Sequence, residues 1–378
     1  MNIAVLGAGM VGRTIALDLV NEYQVTSFDC STKNLFTLKK INSNISIIEA
    51  DLQQFQYYPE LFNSFDLIVI AVPGFMGFKT LEAVIKCGKN VVDISFFPEN
   101  ALELNELAIA HHVTAITDMG VAPGMSNLIL GRYNEVFQIE NFECYVGGLP
   151  KIRVKPFEYK APFSPIDVLE EYTRPARLQE NGFVITRPAL SETELMYFDG
   201  VGTLEAFNTD GLRSLLFTMS HIPNLKEKTL RYPGHVELII ALKDAGFFEK
   251  KTIKMNGAEI SPIEFTSKIL FKEWKLEDDD EELTVMKVII EGKEKGIQKK
   301  VVYELLDEYD ITTKLSSMSR STGYTCTASV NLLTKKMFTE KGVFPPELVG
   351  KHKNCFDYVI EYLNQRNVTW KKQEFQIN

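Results

Sequence analysis

The chain contains 378 residues, of which 45% are hydrophobic, and its formal net charge at pH 7 is −9. This length predicts two domains, and the acidic balance disfavours partners such as nucleic acid or an anionic membrane surface. No apolar run approaches the ~20 residues of a membrane span, and five scattered cysteines without a C-x-x-C motif favour the reducing cytoplasm.

A glycine-rich turn near the N-terminus is the first informative element. The segment IAVLGAGMVG (Ile3–Gly12) predicts a buried strand, a G-x-G-x-x-G turn and the start of a helix. The first glycine allows the tight turn, the second lets the main chain approach a pyrophosphate, and the third packs helix against strand. The predicted dinucleotide-binding residues of this turn are Gly7, Gly9, Met10, Val11 and Gly12.

The second predicted strand, Gln24–Phe28, ends at an acidic residue, Asp29. A carboxylate at this place accepts hydrogen bonds from both hydroxyls of an adenosine ribose and repels a 2′-phosphate. Cys30 follows, with no arginine beside it to hold such a phosphate. The pattern therefore favours NAD over NADP as cofactor. The alternative is a Rossmann-like domain that binds no cofactor.

Two later strand ends extend the predicted crevice. The third strand, Ile45–Ala50, stops before Asp51 and Leu52, where such folds often meet the adenine, although Asp51 fits a helix cap equally well. The apolar run Asp66–Val72 predicts a strand buried on both faces. Its end lies where strand order reverses, so it should line the cofactor crevice. The residues concerned are Ala71, Val72 and Pro73.

Strands alternate with helices as far as Thr117, which predicts a complete doubly wound parallel sheet of the Rossmann type. The turn Asp118–Asn127 follows it. Beyond the turn, alternating apolar and polar residues over 283–291 and 297–307 predict an antiparallel hairpin. The sequence thus predicts an α/β fold with an NAD-binding domain over 1–125 and 326–378. Residues 126–325 are predicted to form a second, α+β domain with a mainly antiparallel sheet, for substrate binding and dimerisation.

Acidic residues at strand ends are the candidates for proton transfer. The sequence lacks G-x-S-x-G, H-E-x-x-H, P-loop and zinc-ligand spacings, so any chemistry is assigned to the nicotinamide and no metal is expected. Asp93, within the fifth strand, and Asp118, after the sixth, are the candidate catalytic residues. Each is either a proton acceptor or a side chain that holds the turn through backbone N–H groups.

Polar clusters between turn-forming residues supply the candidate substrate contacts. A guanidinium binds a carboxylate through two hydrogen bonds, which makes arginines in such loops candidates for an amino-acid carboxylate, although surface salt bridges are commoner. His235 follows Pro233-Gly234 in a predicted loop, where an imidazole could face substrate. The predicted substrate residues are Tyr172, Arg174, Arg213 and His235.

Six motifs in order resemble the L-lysine 6-dehydrogenases of the saccharopine dehydrogenase-like superfamily. They are DMGVAPGMSN (118–127), YVGGLP (145–150), SPIDVLEEYTRPAR (164–177), DGLRSLL (210–216), LRYPGH (230–235) and SSMSRSTGYT (316–325). The resemblance implies NAD-dependent oxidative deamination of the ε-amine of lysine by a two-domain enzyme, most often a homodimer. Its small-molecule partner would be L-lysine or a similar amino acid.

One position separates the possible relatives. Saccharopine reductases and carboxynorspermidine dehydrogenases resemble the 118–127 turn but usually carry an aspartate before its proline, where this chain has Ala122. The alanine disfavours the larger saccharopine-type substrates. A saccharopine- or carboxynorspermidine-type reductase is the first alternative, and a non-catalytic NAD-sensing protein is the second.

Overall fold

The computed structural model describes residues 1–162, 165–277 and 279–377. The first part of the chain alternates strands and helices, with 3₁₀ turns at Phe55–Tyr57 and Ala101–Leu104. The strands are β1 (Asn2–Leu6), β2 (Gln24–Asp29), β3 (Ser46–Glu49), β4 (Leu67–Ile70), β5 (Asn90–Asp93) and β6 (Thr114–Ile116). The helices are α1 (Met10–Leu19), α2 (Thr32–Ile41), α3 (Tyr58–Leu61), α4 (Gly74–Lys86), α5 (Asn105–Ala110) and α6 (Met125–Asn134).

The middle of the chain is dominated by strands. These are β7 (Gln138–Pro150), β8 (Ala176–Glu180), β9 (Phe183–Arg187), β10 (Glu194–Phe198), β11 (Gly202–Asn208), β12 (Asn224–Arg231), β13 (Ile253–Met255), β14 (Ala258–Ile260), β15 (Glu282–Glu294) and β16 (Ile297–Glu308). The helices between them are α7 (Pro165–Thr173), α8 (Leu215–Thr218), α9 (His235–Asp244) and α10 (Pro262–Glu273). Ser164, the first residue of the third motif of the family resemblance (164–177), lies outside the described residues.

The last elements return to both halves of the molecule. They are α11 (Ser317–Thr334), β17 (Gly342–Phe344), α12 (Pro346–Gly350), α13 (Lys353–Asn364) and β18 (Trp370–Gln376). Helix α11 packs against α1, α13 and β15, so it contacts elements of both sheets.

The parallel sheet has the strand order β17-β6-β5-β4-β1-β2-β3. Residues Ile3–Leu6 and Leu67–Ile70 are fully buried, because helices cover both faces of this sheet. Strand order reverses at β1, which pairs with β2 on one side and β4 on the other. This reversal opens a crevice at the carboxyl ends of the strands, next to the glycine turn.

The second sheet is mixed and mostly antiparallel. Its order is β10-β11-β12-β7-β15-β16-β18, with β8 and β9 attached beside β12. The predicted hairpin is present as β15 and β16, and it extends to Glu294 and Ile297. Its two-residue loop, Lys295-Gly296, has positive φ at both positions, as the right-handed twist of a tight hairpin requires. The predicted α/β fold with a second, mostly antiparallel sheet is therefore confirmed.

Two features of the C-terminal segment differ from the sequence-based assignment. Strand β17 adds a seventh parallel strand beside β6, where the sequence predicted six. Strand β18 pairs with β16 in the second sheet, so placing all of 326–378 in the nucleotide domain is wrong for this strand. An isolated alternating strand carries no signal for which sheet it joins, because either open edge accepts it.

No helix in the described ranges combines the length and the apolar character needed to span a bilayer.

Candidate active site

A cavity of about 830 Å³ connects the glycine turn of the first domain with strands of the second. Its walls come from the carboxyl ends of the parallel strands, from the turn 118–123 and from β7, α7 and β12. All the residues predicted to bind cofactor line this one cavity. They are Gly7, Gly9, Met10, Val11, Gly12, Asp29, Cys30, Asp51, Leu52, Ala71, Val72 and Pro73.

The glycine turn leaves room for a ligand only at its middle glycine. A Cβ on Gly7 would lie 2.3 Å from the main-chain oxygen of Ala71, and the φ of Gly7 is +106°. A Cβ on Gly12 would lie 2.1 Å from the oxygen of Gly7. At Gly9, by contrast, no atom of residues 1–162, 165–277 or 279–377 lies within 4 Å of that position. The outer two glycines are thus required by packing, and the open space over Gly9 fits the close approach of a pyrophosphate.

Asp29 holds the turn as well as facing the cavity. Its Oδ2 accepts a hydrogen bond of 2.7 Å from the backbone N–H of Ala8, and its Oδ1 accepts one of 2.7 Å from that of Ser31. A carboxylate has further lone pairs, so ribose hydroxyls can still be accepted. Arg13 and Lys33 also line the cavity. The lack of an arginine beside Cys30 therefore does not exclude cationic side chains from the cavity wall, and the preference for NAD over NADP stays a prediction.

Asp51 holds a local turn, although not as the cap of a helix, since the cap position of the following 3₁₀ turn is Gln54. Its carboxylate accepts hydrogen bonds of 3.0 Å from the backbone N–H of Gln53 and from the side chain of Gln54. These bonds lower the pKa of Asp51 below its usual range. Asp51 therefore stabilises its own turn while also lining the cavity beside Leu52.

Asp118 is locked in an ion pair at the cavity wall. Arg213 donates through Nε to Oδ2 at 3.1 Å, and its Nη2 lies 2.9 Å from Oδ1. Both side chains are buried, and the same guanidinium donates to the carbonyl oxygen of Phe97. Among the described residues, both oxygens of Asp118 are engaged by the guanidinium of Arg213 and not by backbone N–H groups of the turn, and its role in proton transfer stays a prediction. Arg213 likewise holds Asp118 and does not line the cavity, which corrects its assignment as a substrate contact.

Asp93 does not reach the cavity wall. It is fully buried; its Oδ1 accepts from the backbone N–H of Ser95 at 3.2 Å, and its Oδ2 has no hydrogen-bond partner among the described residues. Desolvation raises the pKa of Asp93 to about 8. A group sealed from the cavity cannot exchange a proton with a substrate there, so the assignment of Asp93 as a catalytic residue is corrected.

Tyr172 and His235 are buried beneath the cavity and hold an arginine. The hydroxyl of Tyr172 accepts from Nε of Arg231 at 3.1 Å and lies 3.0 Å from Nε2 of His235. The other ring nitrogen of His235 lies 2.9 Å from the carbonyl oxygen of Phe157. Desolvation and the neighbouring Arg231 lower the pKa of His235 to about 3, so its ring is neutral. Neither side chain lines the cavity, and both are reassigned from substrate contacts to positioning residues.

The second domain contributes a group of charged cavity residues that we call the acidic chamber. It comprises Glu170, Glu171, Arg174, Asp210, Glu227 and Arg231. Three of its carboxylates have arginine partners: Arg231 lies 2.8 Å from Glu171, Arg174 contacts Glu170, and Arg177 binds Asp210 through two bonds of 2.9 Å. Arg174 is the predicted substrate residue that the structure brings to the cavity.

Glu227 is the carboxylate that sequence reasoning missed. It lies on β12, its side chain lines the acidic chamber, and only 5% of it is exposed. Burial and the negative charges of Glu171 and Asp210 raise its pKa to about 8. Within KEKTLR the residue resembles an ordinary surface position of a strand, and no sequence signal marks it as buried.

No group of three or more His, Cys, Asp or Glu side chains within the described residues has a geometry suited to a metal ion.

Comparison with known protein families identifies both halves of the chain. Residues 3–116 match the saccharopine dehydrogenase NADP binding domain, and residues 120–368 match the saccharopine dehydrogenase C-terminal domain. The chain belongs to the saccharopine dehydrogenase family. The match assigns NAD(P) binding to the first domain without separating the two cofactors.

Related members of the saccharopine dehydrogenase family share about a quarter of their aligned residues with this chain. The saccharopine dehydrogenase (NADP(+), L-glutamate-forming) of Schizosaccharomyces pombe is 26% identical over 296 residues, 74% of this chain and 66% of that enzyme. The enzyme of the same name from Pyricularia oryzae is 25% identical over 316 residues, which are 80% of this chain and 69% of that enzyme. The mitochondrial alpha-aminoadipic semialdehyde synthase of Rattus norvegicus is 24% identical over 66% of this chain, which spans only 27% of that enzyme.

The solved structure of a family member has the same architecture. Saccharopine dehydrogenase (L-Glu forming) from Saccharomyces cerevisiae superimposes with a TM-score of 0.80 over 99% of both chains, at 18% sequence identity. At this identity the likeness establishes the shared fold of two domains and not the substrate.

Proposed function

We propose that this family member catalyses the NAD-dependent oxidative deamination of the ε-amine of L-lysine. The product imine would be hydrolysed to a semialdehyde, which cyclises. The observation that carries the proposal is the single cavity that joins the glycine turn to the acidic chamber. A cofactor held by the turn and an amine held by the chamber would share this space, as hydride transfer between them requires.

The residues of the first domain fit a dinucleotide. The pyrophosphate would lie over Gly9, where the turn is open, and Asp29 would bind the adenosine ribose. The end of β4 would contact the cofactor through Ala71, Val72 and Pro73. When bound, the nicotinamide supplies the hydride acceptor. Asp29 supports NAD, whereas Arg13 and Lys33 are cationic residues in the wall of the same cavity. Replacing Asp29 with alanine should weaken NAD binding and narrow the discrimination against NADP, measured by fluorescence titration of NADH and NADPH.

The acidic chamber suits a cationic amine with one carboxylate. Four carboxyl groups and two guanidiniums of the chamber line the cavity, so an ammonium group placed there would meet several acceptor oxygens. Arg174 and Arg231 are the groups that could bind the α-carboxylate of an amino acid. Hydride leaves the carbon only after the amine becomes neutral, so the chamber must also contain a proton acceptor.

The decisive experiment adds L-lysine, L-ornithine, or L-glutamate with a semialdehyde to the purified protein, with NAD or NADP and their reduced forms. Absorbance of the reduced nicotinamide reports turnover. The proposal expects the fastest reduction with NAD and L-lysine. Oxidation of the reduced cofactor only when glutamate and the semialdehyde are both present would contradict it.

That contrary result defines the second candidate, a saccharopine-type reductase. The family relatives favour it, because those of Schizosaccharomyces pombe and Pyricularia oryzae are named for saccharopine. Ala122 opposes it, since enzymes that act on the larger saccharopine-type substrates usually carry an aspartate at this position of the turn. A non-catalytic NAD sensor has less support, because sensing requires no acidic chamber.

A homodimer is also part of the proposal. Exposed apolar side chains on β9 and β10, including Phe183 (74%), Leu195 (67%) and Tyr197 (68%), offer a surface for a second copy. Light scattering coupled to size exclusion should give about twice the chain mass. A Phe183→Ser, Leu195→Ser variant that leaves this mass unchanged would exclude the surface.

A further inference from the structure

One carboxylate of the acidic chamber differs from the other three in its contacts. Glu170, Glu171 and Asp210 each contact an arginine. Glu227, within the described residues, has neither a hydrogen-bond donor nor a cation at ion-pair distance. Its neighbours on β12, Lys226 and Lys228, pair instead with Glu143 and Glu194. The chamber therefore holds one carboxylate with free oxygens.

The backbone around Glu227 is shaped to admit that carboxylate. A Cβ on Gly211 would lie 1.6 Å from its Oε1 and 2.6 Å from its Oε2, so any other residue at 211 would displace it. Gly211 also lines the cavity, together with Thr229 of the same strand. The carboxylate therefore sits against the main chain at Gly211, and both residues belong to the wall of the same cavity.

The charges around Glu227 are mostly negative. Glu171 of α7 and Asp210 of the loop after β11 face it, together with the Asp118–Arg213 pair, while Cys144 is its neighbour on β7. Arg231, on its own strand, is engaged by Glu171 and Tyr172. Burial is the larger cause and these carboxylates the next in raising the pKa of Glu227 to about 8. A group with this pKa takes up and releases a proton near neutral pH.

We propose that Glu227 is the catalytic proton acceptor for the ammonium group of the substrate. The inference rests on the proposed amine oxidation. An N–H bond of the ammonium breaks as an O–H bond forms on Glu227, which leaves a neutral amine. The nitrogen lone pair then stabilises the carbon as its hydride departs, and Glu227 later passes the proton to solvent.

Kinetics of a Glu227→Gln variant test this role, with Glu143→Gln as the matched control. Glu143 adjoins the partner of Glu227 on β7, pairs with Lys226 on the opposite face of the sheet and does not line the cavity. The kcat of Glu227→Gln should fall on the order of 100-fold or more. The rise of kcat/KM with pH, expected near pH 8 in the unmodified protein, should disappear. Glu143→Gln should change neither, and undiminished activity of Glu227→Gln would overturn the proposal.

Proton release gives a readout that does not depend on turnover. At pH 7 Glu227 carries a proton, because its pKa is about 8, and an arriving ammonium should displace it. Calorimetric titration of the NADH-bound protein with L-lysine, in two buffers of different ionisation enthalpy, should show release of nearly one proton. Glu227→Gln should release none, while NADH affinity stays unchanged and confirms its fold. Equal proton release by both proteins would overturn the assignment.

Saccharopine, whose amine is also an ammonium, serves as the second probe. If saccharopine is oxidised and L-lysine is not, while Glu227→Gln is inactive, the proposed function fails and the role of Glu227 stands. If L-lysine is oxidised equally by both proteins, the function stands and the role fails. If neither probe binds the unmodified protein, both proposals are overturned.

Discussion

The glycine turn and the acidic chamber line one cavity but are built from different parts of the chain. The turn is six neighbouring residues, Gly7–Gly12, and its close contact with Ala71 is between main-chain atoms. The chamber is made of side chains from α7, from the loop after β11 and from β12. The glycine turn is encoded by the positions at which only glycine fits, whereas the acidic chamber depends on which charged side chains form ion pairs. The two halves therefore respond to different substitutions.

The largest effect is expected where the two halves meet, at Asp118. Asp118→Asn leaves the buried guanidinium of Arg213 without its partner and should destabilise the protein by about 3–5 kcal/mol. Turnover should fall more than cofactor affinity. Chemical denaturation measures the stability, and a double variant with Arg213→Met should recover part of the loss. A single variant as stable as the unmodified protein would show that the pair is not needed.

The next largest effect is expected at Gly12 of the glycine turn, and a comparison with Gly9 distinguishes a packing role from a cofactor-binding role. Gly12→Ala places a Cβ 2.1 Å from the oxygen of Gly7 and should destabilise the first domain by about 1–3 kcal/mol, with loss of NADH binding. Gly9→Ala meets no protein atom within 4 Å, so it should weaken NADH binding without lowering the melting temperature. Thermal melts and NADH titrations measure both. Equal melting temperatures for the two variants would contradict this division.

A smaller effect distinguishes positioning from substrate contact. Tyr172→Phe removes the hydroxyl that Arg231 and His235 share and should cost about 1 kcal/mol of stability. Because Tyr172 lies outside the cavity, KM for the amine should change little. Steady-state kinetics and denaturation check this together. A large rise in KM at unchanged stability would restore Tyr172 as a substrate contact.

A further effect, which depends on pH, is expected at Asp93. Its pKa rises from 3.8 to about 8 on folding, so the folded state binds a proton that the unfolded state lacks between these values. The contribution of Asp93 to stability therefore falls as pH rises from about 4 to 8. Asp93→Asn should remove that part of the decline and raise the melting temperature above pH 8. The same dependence in both proteins would contradict the buried, unpaired state of Asp93.

Local patterns were predicted well and long-range partners were not. The turn, Asp29 and the end of β4 were placed at the cavity because their positions follow from strand–turn–helix order. Tyr172 and His235 were polar residues near turns and therefore looked accessible, yet the fold buries them under Arg231. Arg13 was overlooked because its place in the cavity wall depends on the path of α1.

The sequence by itself determined the parallel sheet, the nucleotide crevice and the hairpin, because apolar runs, glycine spacing and alternation act over a few neighbouring residues. Only the tertiary structure decided that β18 joins the second sheet, that Asp118 is neutralised by Arg213, and that Glu227 has no ion-pair or hydrogen-bond partner in the described part of the chain. Each of these depends on residues far apart in the chain. Burial and charge pairing arise only when such residues meet, and no local pattern encodes them.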